Sequence, residues 1–201
     1  MKKKVLVIVA HPDDEILWMG GNLLRNKKNW NTTIISLTRR SDHDRYPKFK
    51  RVIKTLGVKG FIYDLDDENH QFHLKPQEII KTITPHIKNK KYDMLFTHNK
   101  NGEYNHPRHI DVHNAITFAL KNNLIKTKKA FFFSYKKINN KYQGYAKVNP
   151  SADIFIKLNR DELLMKRKLA IDVYGYDRGG IGFEENSAGP IEAFNIYKKR
   201  K

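Results

Sequence analysis

A histidine, a proline and three acidic residues follow one another near the start of the chain, in the segment HPDDE at positions 11–15. The two residues between His11 and Asp14 turn the chain, so that the imidazole and the carboxylate can converge on one point. Imidazole nitrogen and carboxylate oxygen are both ligands of divalent transition metals. The segment therefore indicates a metal site, with the carboxylate of Asp13 placed to accept a proton beside it.

The same acidic residues also fit a purely structural interpretation, because carboxylates are frequent at the start of helices. Asp13 and Asp14 could accept hydrogen bonds from free backbone N–H groups and interact favourably with the helix dipole. This alternative requires no ligand. A second group of metal-binding side chains at the same place would favour the metal site over helix capping.

Such a group lies in the segment THNKNGEYNHPRHIDVH, positions 97–113, which contains four of the nine histidines: His98, His106, His109 and His113. His109 could supply a third ligand, since two histidines and one carboxylate around an open position form a catalytic zinc pattern. His106 could stabilise an oxyanion or protonate a leaving amine. The four-residue spacing of His109 and His113 also allows a two-histidine metal pair or an exposed helix face.

The elements that must position these clusters alternate between strand and helix. Apolar runs predict five strands, at residues 4–10, 32–38, 60–65, 92–98 and 128–135. The first run is continuous, as expected of a strand that is buried on both faces. Helices are predicted between them, at 13–26, 46–58 and 76–89 and from about Pro107. Pro47 fits the first turn of the second helix and Gly57 its end, while Pro85 should bend or shorten the third.

This alternation predicts an α/β fold with a Rossmann-like, mostly parallel sheet that is flanked by helices. In such sheets, ligands bind outside the carboxyl ends of the strands. HPDDE follows the first strand and the histidine cluster follows the fourth, so both reach the same edge. This juxtaposition favours the metal site, whereas the remaining histidines that we considered are expected to be at the surface or structural: His43, His70, His73 and His86.

The last third of the chain departs from the alternation. Residues 131–149 predict two strands around an Asn-Asn turn, 152–159 a further strand, 161–174 a helix, and the Gly-rich stretch 175–190 an ordered loop or lid. We predict a single domain over residues 1–201. Its α/β core extends to about residue 125, and residues 126–201 form an antiparallel addition that serves as a substrate wall or lid.

Composition narrows the class of protein. The chain has 201 residues, 39% of them hydrophobic and 30% charged, which suits a globular domain with its own core. It has no cysteine, so any metal must be held by histidine and carboxylate. No apolar run approaches the roughly 18–20 residues that span a bilayer. The start MKKKVLVIVA is too short for a signal peptide and lacks a cleavage site, which predicts a cytoplasmic protein.

The net charge of +18 raises nucleic acid as a partner. Lysine and asparagine are abundant throughout the chain, however, and such enrichment also arises from coding bias on solvated faces. We see no grouped arginines and aromatics, so we predict no specific nucleic-acid partner. A basic surface would still attract an anionic substrate, and the oligomeric state is left open.

The segment AHPDDEILWMGG, followed by SLT, LGV and DMLFTHNKNGEYNHPRH, resembles the LmbE-like or PIG-L deacetylases. These are zinc-dependent enzymes that remove acyl groups, usually acetyl, from N-acylated amino sugars. The resemblance covers residues 1 to about 120, and its pair of motifs, AHPDDE and a later HPxH, is specific. It implies hydrolysis of the N-acyl group of an amino sugar or sugar conjugate, such as an N-acetylglucosamine derivative.

Carried over position by position, the resemblance implies that His11, Asp14 and His109 bind Zn²⁺, although other divalent transition metals suit the same ligands. Asp13 would be the general base that takes a proton from the attacking water. His106 would assist the tetrahedral intermediate. The competing hypotheses are another hydrolase built on the same site and a basic nucleic-acid-binding protein with a degenerate site.

Two arginines are assigned to substrate binding. Arg45 falls where many members of the family place a substrate-binding arginine, although the neighbouring pattern lacks an acidic residue that is often found there. Arg108 replaces the aspartate of the common motif HPDH. It changes the charge beside the site, and it could lower the basicity of His106 or engage an anionic substrate.

Overall fold

The apolar runs of the sequence form strands and the amphipathic stretches between them form helices in the computed structural model, which describes residues 1–67, 72–138, 146–176 and 188–198. The strands are β1 (Lys3–Val9), β2 (Trp30–Ser36), β3 (Lys59–Ile62), β4 (Lys91–Thr97), β5 (Lys126–Phe133), β6 (Tyr135–Lys137), β7 (Ala146–Val148), β8 (Ile154–Lys157) and β9 (Ile191–Ile196). The helices are α1 (Asp14–Asn26), α2 (Arg45–Leu56), α3 (Pro76–Ile87), α4 (Gly102–Asn105), α5 (Pro107–Lys121) and α6 (Arg160–Lys168). A π-helical turn, Leu169–Val173, continues α6.

Seven strands form one sheet in the order β3-β2-β1-β4-β5-β9-β8. The first five strands are parallel, while β9 runs antiparallel to both of its neighbours. Strands β6 and β7 form a separate antiparallel pair. The prediction of a Rossmann-like, mostly parallel sheet with an antiparallel addition is therefore confirmed.

Burial on both faces explains the continuous apolar runs. Val5, Val7 and Val9 of β1 point into one apolar cluster, and Leu6 and Ile8 point into the cluster on the other face. All five side chains are fully buried. Successive side chains of a strand point to opposite faces, so a strand covered by helices on both sides needs apolar residues at every position.

Several predicted element ends agree with the local backbone. Gly57 ends α2 in the left-handed region, with φ of 66°, which glycine adopts without steric cost. Pro85 lies inside α3. No helix in the described ranges is both long enough and apolar enough to cross a membrane. Most of the predicted Gly-rich lid, residues 177–187, falls outside the described residues.

Strand β9 has no counterpart among the predicted strands. Its apolar pattern is interrupted by Glu192. A glutamate suggests a solvated position in the sequence, but this side chain is fully buried. The Nζ atom of Lys166, also fully buried, lies 2.8 Å from the Glu192 carboxylate and balances its charge. A buried ion pair between two distant segments leaves no periodic signal in either of them.

Glu192 also attaches the C-terminal third to α1. Helix α1 is interrupted at Met19, whose φ of −149° and ψ of 18° are not helical. The backbone N–H groups of Gly21 and Asn22 donate to the Glu192 carboxylate at 2.8 and 2.9 Å. A Cβ atom at Gly21 would lie 2.3 Å from the side chain of Leu158, so the close approach requires glycine.

Candidate metal and catalytic site

The candidate site lies at the carboxyl edge of the sheet, where β1 sits between β2 and β4. The chain leaves β1 towards β2 on one side and later returns to β4 on the other, so the direction of the strand order reverses here. Open α/β sheets bind ligands in the crevice at such a switch point. His11 follows β1 and His98 follows β4, so the two predicted clusters meet in this crevice.

Three ligand-type side chains converge there. The Nδ1 atom of His11 lies 3.2 Å from Nε2 of His109. The two carboxylate oxygens of Asp14 lie 3.4 Å from these nitrogens, one from each. Ligands held tetrahedrally at roughly 2.0–2.2 Å from one ion are themselves about 3.3–3.6 Å apart. The three separations, which involve both oxygens of Asp14, are therefore close to those between the ligands of a small divalent ion.

The ring nitrogens that face away from this point are held by carboxylates. Nε2 of His11 lies 2.9 Å from Asp67, and Nδ1 of His109 lies 2.7 Å from Glu103. A carboxylate on one nitrogen fixes the ring and its tautomer and leaves the other nitrogen to the metal. Neither Asp67 nor Glu103 was predicted: Asp67 lies on a segment with no motif, and Glu103 lies within the histidine-rich segment 97–113 but contacts the histidines only through the fold.

Glu103 connects the two histidine-bearing segments. Its carboxylate also lies 2.7 Å from Nδ1 of His98 and accepts the backbone N–H of Asn99 at 2.9 Å. The residue is fully buried and has a φ of 57°, which is uncommon for a residue other than glycine. Strained, buried residues of this kind are concentrated at functional sites.

Two groups of three side chains could hold a metal ion among the described residues: His11, His106 and His109 in one, and Asp14, His98 and His109 in the other. The His98 ring is already engaged at both nitrogens, since Nε2 accepts the backbone N–H of Ala10 at 3.0 Å and Nδ1 faces Glu103. The structure thus provides a His/Asp cluster for a metal. It does not bring His113 into either group, because its Nδ1 bonds the carbonyl of His98.

Asp13 lies beside this cluster with its backbone in an unusual conformation, at φ of 126°. Its Oδ2 accepts hydrogen bonds from Nη1 of Arg45 at 2.7 Å and from the hydroxyl of Tyr176 at 2.6 Å. Burial and the adjacent charge of Asp14 raise the pKa of Asp13 to about 6, although Arg45 and His11 act in the opposite direction. A carboxylate with a raised pKa is a better proton acceptor.

Helix capping does not account for the acidic segment. Asp13 makes no side-chain hydrogen bond to the first turn of α1. The Asp14 carboxylate instead accepts the backbone N–H of His11 and the indole N–H of Trp18, both at 2.8 Å. These bonds orient both Asp14 oxygens, one towards each of the two histidines.

Glu15 is fully buried behind the cluster and accepts a hydrogen bond from the hydroxyl of Tyr174 at 2.5 Å. Burial raises the pKa of Glu15 to about 8; the Tyr174 bond opposes this shift and the charge of Asp13 adds to it. The carboxylate also accepts the backbone N–H of Asp13 at 3.1 Å. Glu15 therefore supports the strained turn at Asp13.

His106 precedes α5 and lies next to both histidine ligands of the predicted site. Its ring centroid is 4.6 Å from those of His11 and His109. Burial and these two neighbouring rings lower the pKa of His106 to about 2, so the imidazole is neutral at neutral pH. A neutral ring beside the metal-binding atoms can donate a hydrogen bond from one nitrogen and accept one at the other.

The two predicted substrate-binding arginines have different surroundings. Arg45 reaches the site through Asp13, and its side chain is 32% exposed. Arg108 is 1% exposed, and its guanidinium donates to the carboxylates of Asp66 and Asp111 and to the carbonyl of Phe72 at 2.7–3.0 Å. These contacts connect the segment between β3 and α3 to α5. They do not support substrate binding by Arg108, which stays a prediction.

Comparison with known proteins identifies the family. The model described as PIG-L: GlcNAc-PI de-N-acetylase matches residues 6–120, which is more than half of the 201 residues. The chain therefore belongs to the PIG-L, or LmbE-like, family, as its motifs indicate. The matched region extends from β1 to the last turn of α5 and contains all the predicted metal-binding and catalytic residues.

One sequence relative is an uncharacterized protein, L374, of Acanthamoeba polyphaga mimivirus. The two chains are 26% identical over 193 residues, which cover 85% of this chain and 81% of the viral one. The similarity thus extends into the C-terminal third, beyond the region that the family model matches.

Solved structures share the fold over nearly the whole chain. The conserved protein TT1542 from Thermus thermophilus has a TM-score of 0.73 at 16% identity, covering 99% of this chain and 96% of its own. The A40926 pseudoaglycone deacetylase Dbv21 scores 0.68 at 14% identity, with full coverage of both chains. The N,N'-diacetylchitobiose deacetylase of Pyrococcus horikoshii scores 0.66 at 17% identity, covering 97% and 84%.

Proposed function

We propose that this chain is a metal-dependent hydrolase that removes an N-acyl group, most simply acetyl, from an amino sugar or sugar conjugate in the cytoplasm. The observation that carries the proposal is the convergence of His11, Asp14 and His109 within 3.4 Å of one another, with Asp13 beside them. Membership of the PIG-L family supports the same reaction. Two proteins with similar folds are named as deacetylases, one of the A40926 pseudoaglycone and one of N,N'-diacetylchitobiose.

His11 through Nδ1, His109 through Nε2 and Asp14 through its carboxylate would hold the metal. We propose Zn²⁺, and the same donors also suit iron or cobalt. A bound divalent ion supplies a water that is acidic near neutral pH and polarises the amide carbonyl. Asp67 and Glu103 keep the two imidazoles in the required tautomers.

Asp13 is the proposed general base. It takes a proton from the water whose oxygen attacks the amide carbon, and its pKa of about 6 leaves it ionised at neutral pH. Arg45 and Tyr176 both bond Oδ2 of this carboxylate, which leaves Oδ1 for the proton. The strained backbone at Asp13 fixes the direction of the side chain.

His106 is proposed to donate a hydrogen bond to the oxyanion of the tetrahedral intermediate. Collapse of the intermediate breaks the C–N bond, and the proton taken by Asp13 passes to the departing nitrogen. The products are a free amine and a carboxylate, acetate in the simplest case. Amide nitrogen leaves poorly as an anion, so this proton transfer is needed.

Arg45 is the proposed substrate contact, because a third of its side chain stays exposed while it holds Asp13. The cavity that includes Asp67 is lined by three further aspartates, Asp42, Asp64 and Asp66, and by one arginine, Arg39, so the charge of this lining does not favour an anionic substrate. We therefore propose an amino-sugar substrate recognised mainly through its hydroxyl and acylamino groups.

The test combines metal analysis with an acetate-release assay on N-acetylglucosamine and its conjugates. The purified protein should hold about one divalent ion per chain, and Asp13→Asn should lower the turnover number roughly 100-fold or more while keeping the metal. Asp161→Asn, the same change at an exposed position of α6, is the matched control. Failure to bind any metal on reconstitution, or full activity of Asp13→Asn, would overturn the proposal.

A further inference from the structure

A large groove lies at the amino edge of the sheet, at the opposite end of the strands from the candidate site. It has a volume of about 1220 Å³ and is lined by the starts of β1, β4 and β5 and by the segments around β8 and β9. Seven exposed lysines line it: Lys2, Lys3, Lys4, Lys91, Lys126, Lys128 and Lys129. We call this feature the lysine groove.

The strand arrangement creates the groove. Strand β9 pairs with β5 from Phe131 to Phe133, and no strand among the described residues pairs with the first half of β5 on that side. The last contact is the N–H of Tyr197, which donates to the carbonyl of Ala130 at 2.9 Å. The floor between the lysines is apolar and includes Ile154 and Ile196.

The ratio of basic to acidic residues is higher in the lysine groove than in the chain as a whole. The whole chain has 39 basic and 21 acidic residues, about two to one, whereas the described lining has seven lysines and only Asp93 as an acid. Asp93 is already occupied, because it accepts the N–H of Lys4 and pairs with Lys128, both at 2.8 Å. A coding bias that is spread over all solvated faces would not produce this separation.

The groove also lies far from the candidate site at the carboxyl edge of the sheet. Strand β1 has seven residues and spans roughly 20 Å between Lys3, at the groove, and Val9, next to the site. This separation exceeds the Debye length of about 8 Å at physiological ionic strength. The lysines are therefore screened electrostatically from the charges of the candidate site.

We propose that the lysine groove binds single-stranded nucleic acid through its backbone phosphates, without reading the bases. Lysine ammonium groups neutralise phosphates as point charges. No arginine is among the described lining residues, so bidentate base contacts are not provided. Of the lining aromatics, Tyr92 and Phe131 are 7% and 8% exposed, and Tyr197 is half-buried with its ring 5.9 Å from that of Phe132, so phosphate contacts rather than stacked bases would carry the binding.

The shape of the groove supports a polymeric strand. Its volume exceeds the roughly 300–1,000 Å³ of small-molecule pockets, so a single phosphorylated metabolite would leave most of it open. A flexible strand can follow the floor and place successive phosphates near lysines on both walls.

The test measures the binding of a fluorescent 12-nucleotide single strand to the full chain at several KCl concentrations. The logarithm of the binding constant should fall linearly with the logarithm of the salt concentration, with a slope of about −0.7 for each neutralised phosphate. Replacing three groove lysines, as Lys3→Gln, Lys126→Gln and Lys129→Gln together, should reduce the slope by about 2 and weaken binding roughly 100-fold at 0.1 M salt.

The matched control replaces three exposed lysines of other elements, as Lys54→Gln, Lys81→Gln and Lys168→Gln together. This variant should bind as the wild type does, apart from the small effect of net charge, and both variants should keep the wild-type unfolding midpoint. Absence of binding at 50 mM KCl, or equal losses in the two triple variants, would overturn the proposal. So would equally tight binding of poly-glutamate, or binding to vesicles of anionic lipid without binding to the strand.

Discussion

Charged side chains are buried and paired at one edge of the sheet and exposed at the other. At the carboxyl edge, Asp14, Glu103 and His109 are at most 2% exposed, and each contacts other charged or polar side chains. At the amino edge, the lysines of the groove are exposed, with Asp93 as the single acid in the described lining. Buried charges persist only when they are paired, whereas exposed charges stay hydrated and free to meet a partner.

The backbone differs between the edges as well. Asp13 and Glu103, at the carboxyl edge, have φ values of 126° and 57°. The lysines of β1 and β5 lie on regular strands. A strained, buried cluster suits a small ion and one reaction geometry, while exposed side chains on regular strands suit a long ligand that is recognised by charge alone.

The largest expected effect is at the candidate metal ligands. Asp14→Asn removes the anionic ligand between His11 and His109, and we expect metal content to fall well below one ion per chain and activity to fall roughly 1,000-fold or more. Inductively coupled plasma analysis and acetate release measure the two effects. Binding of single-stranded nucleic acid at the other edge should not change, so a joint loss of both would contradict the independence of the edges.

A second prediction concerns the attachment of the C-terminal third. Glu192→Ala leaves the ammonium of Lys166 buried without its partner and two backbone N–H groups of α1 without an acceptor. We expect a loss of roughly 3–5 kcal/mol in the free energy of unfolding, measured by urea denaturation. The double change Glu192→Gln with Lys166→Met removes both charges and should recover most of this loss. Equal destabilisation of both variants would show that the ion pair is unimportant.

The carboxylates behind the histidines should have an intermediate effect. Glu103→Gln keeps the shape of the side chain but weakens its hold on the His109 ring, and we expect metal affinity to fall roughly 10- to 100-fold. Asp67→Asn should act similarly through His11. Competition with a chelating dye measures the affinity. Glu78→Gln, on an exposed part of α3, is the control, and an unchanged affinity in both site variants would contradict the positioning role.

The smallest expected effect lies near the amino edge, at His86. Burial lowers its pKa below 6.5, and the charge of Lys90 adds to this. The folded state therefore binds the proton less readily than the unfolded chain, so this residue costs stability as the pH falls below about 6.5. His86→Gln should reduce the drop in melting temperature between pH 7 and pH 5 by about 1–2 °C. An unchanged drop in the His86→Gln variant would contradict this role of His86.

Much of the fold could be predicted because the parallel strands carry local signals. Strand β1 is apolar at every buried position, and Gly57 ends α2 in the conformation that glycine favours. Strand β9 could not be predicted, because Glu192 is neutralised by Lys166 from a different element. A contact between distant segments leaves no period in either sequence.

The candidate site likewise combines features that could be predicted from the sequence with features that could not. The convergence of His11, Asp14 and His109 could be predicted from residue type, spacing and the rule that strand ends share an edge, whereas their role as metal ligands is implied by the family resemblance and stays a prediction. Asp67 and Glu103 could not, since their roles follow from where the β3–α3 connection and α4 place them. Arg108 stands within a motif, yet its contacts with Asp66 and Asp111 are visible only in three dimensions.

We propose that two histidines and one carboxylate hold a divalent ion at the carboxyl edge of the sheet. X-ray absorption spectroscopy of the zinc-loaded full chain tests it most directly, because imidazole nitrogens give a characteristic outer-shell scattering. We predict two imidazole ligands, with the remaining donors oxygen, at roughly 2.0–2.2 Å. Three imidazoles would instead indicate His11, His106 and His109 as ligands, and a spectrum of fully hydrated zinc would contradict the site altogether.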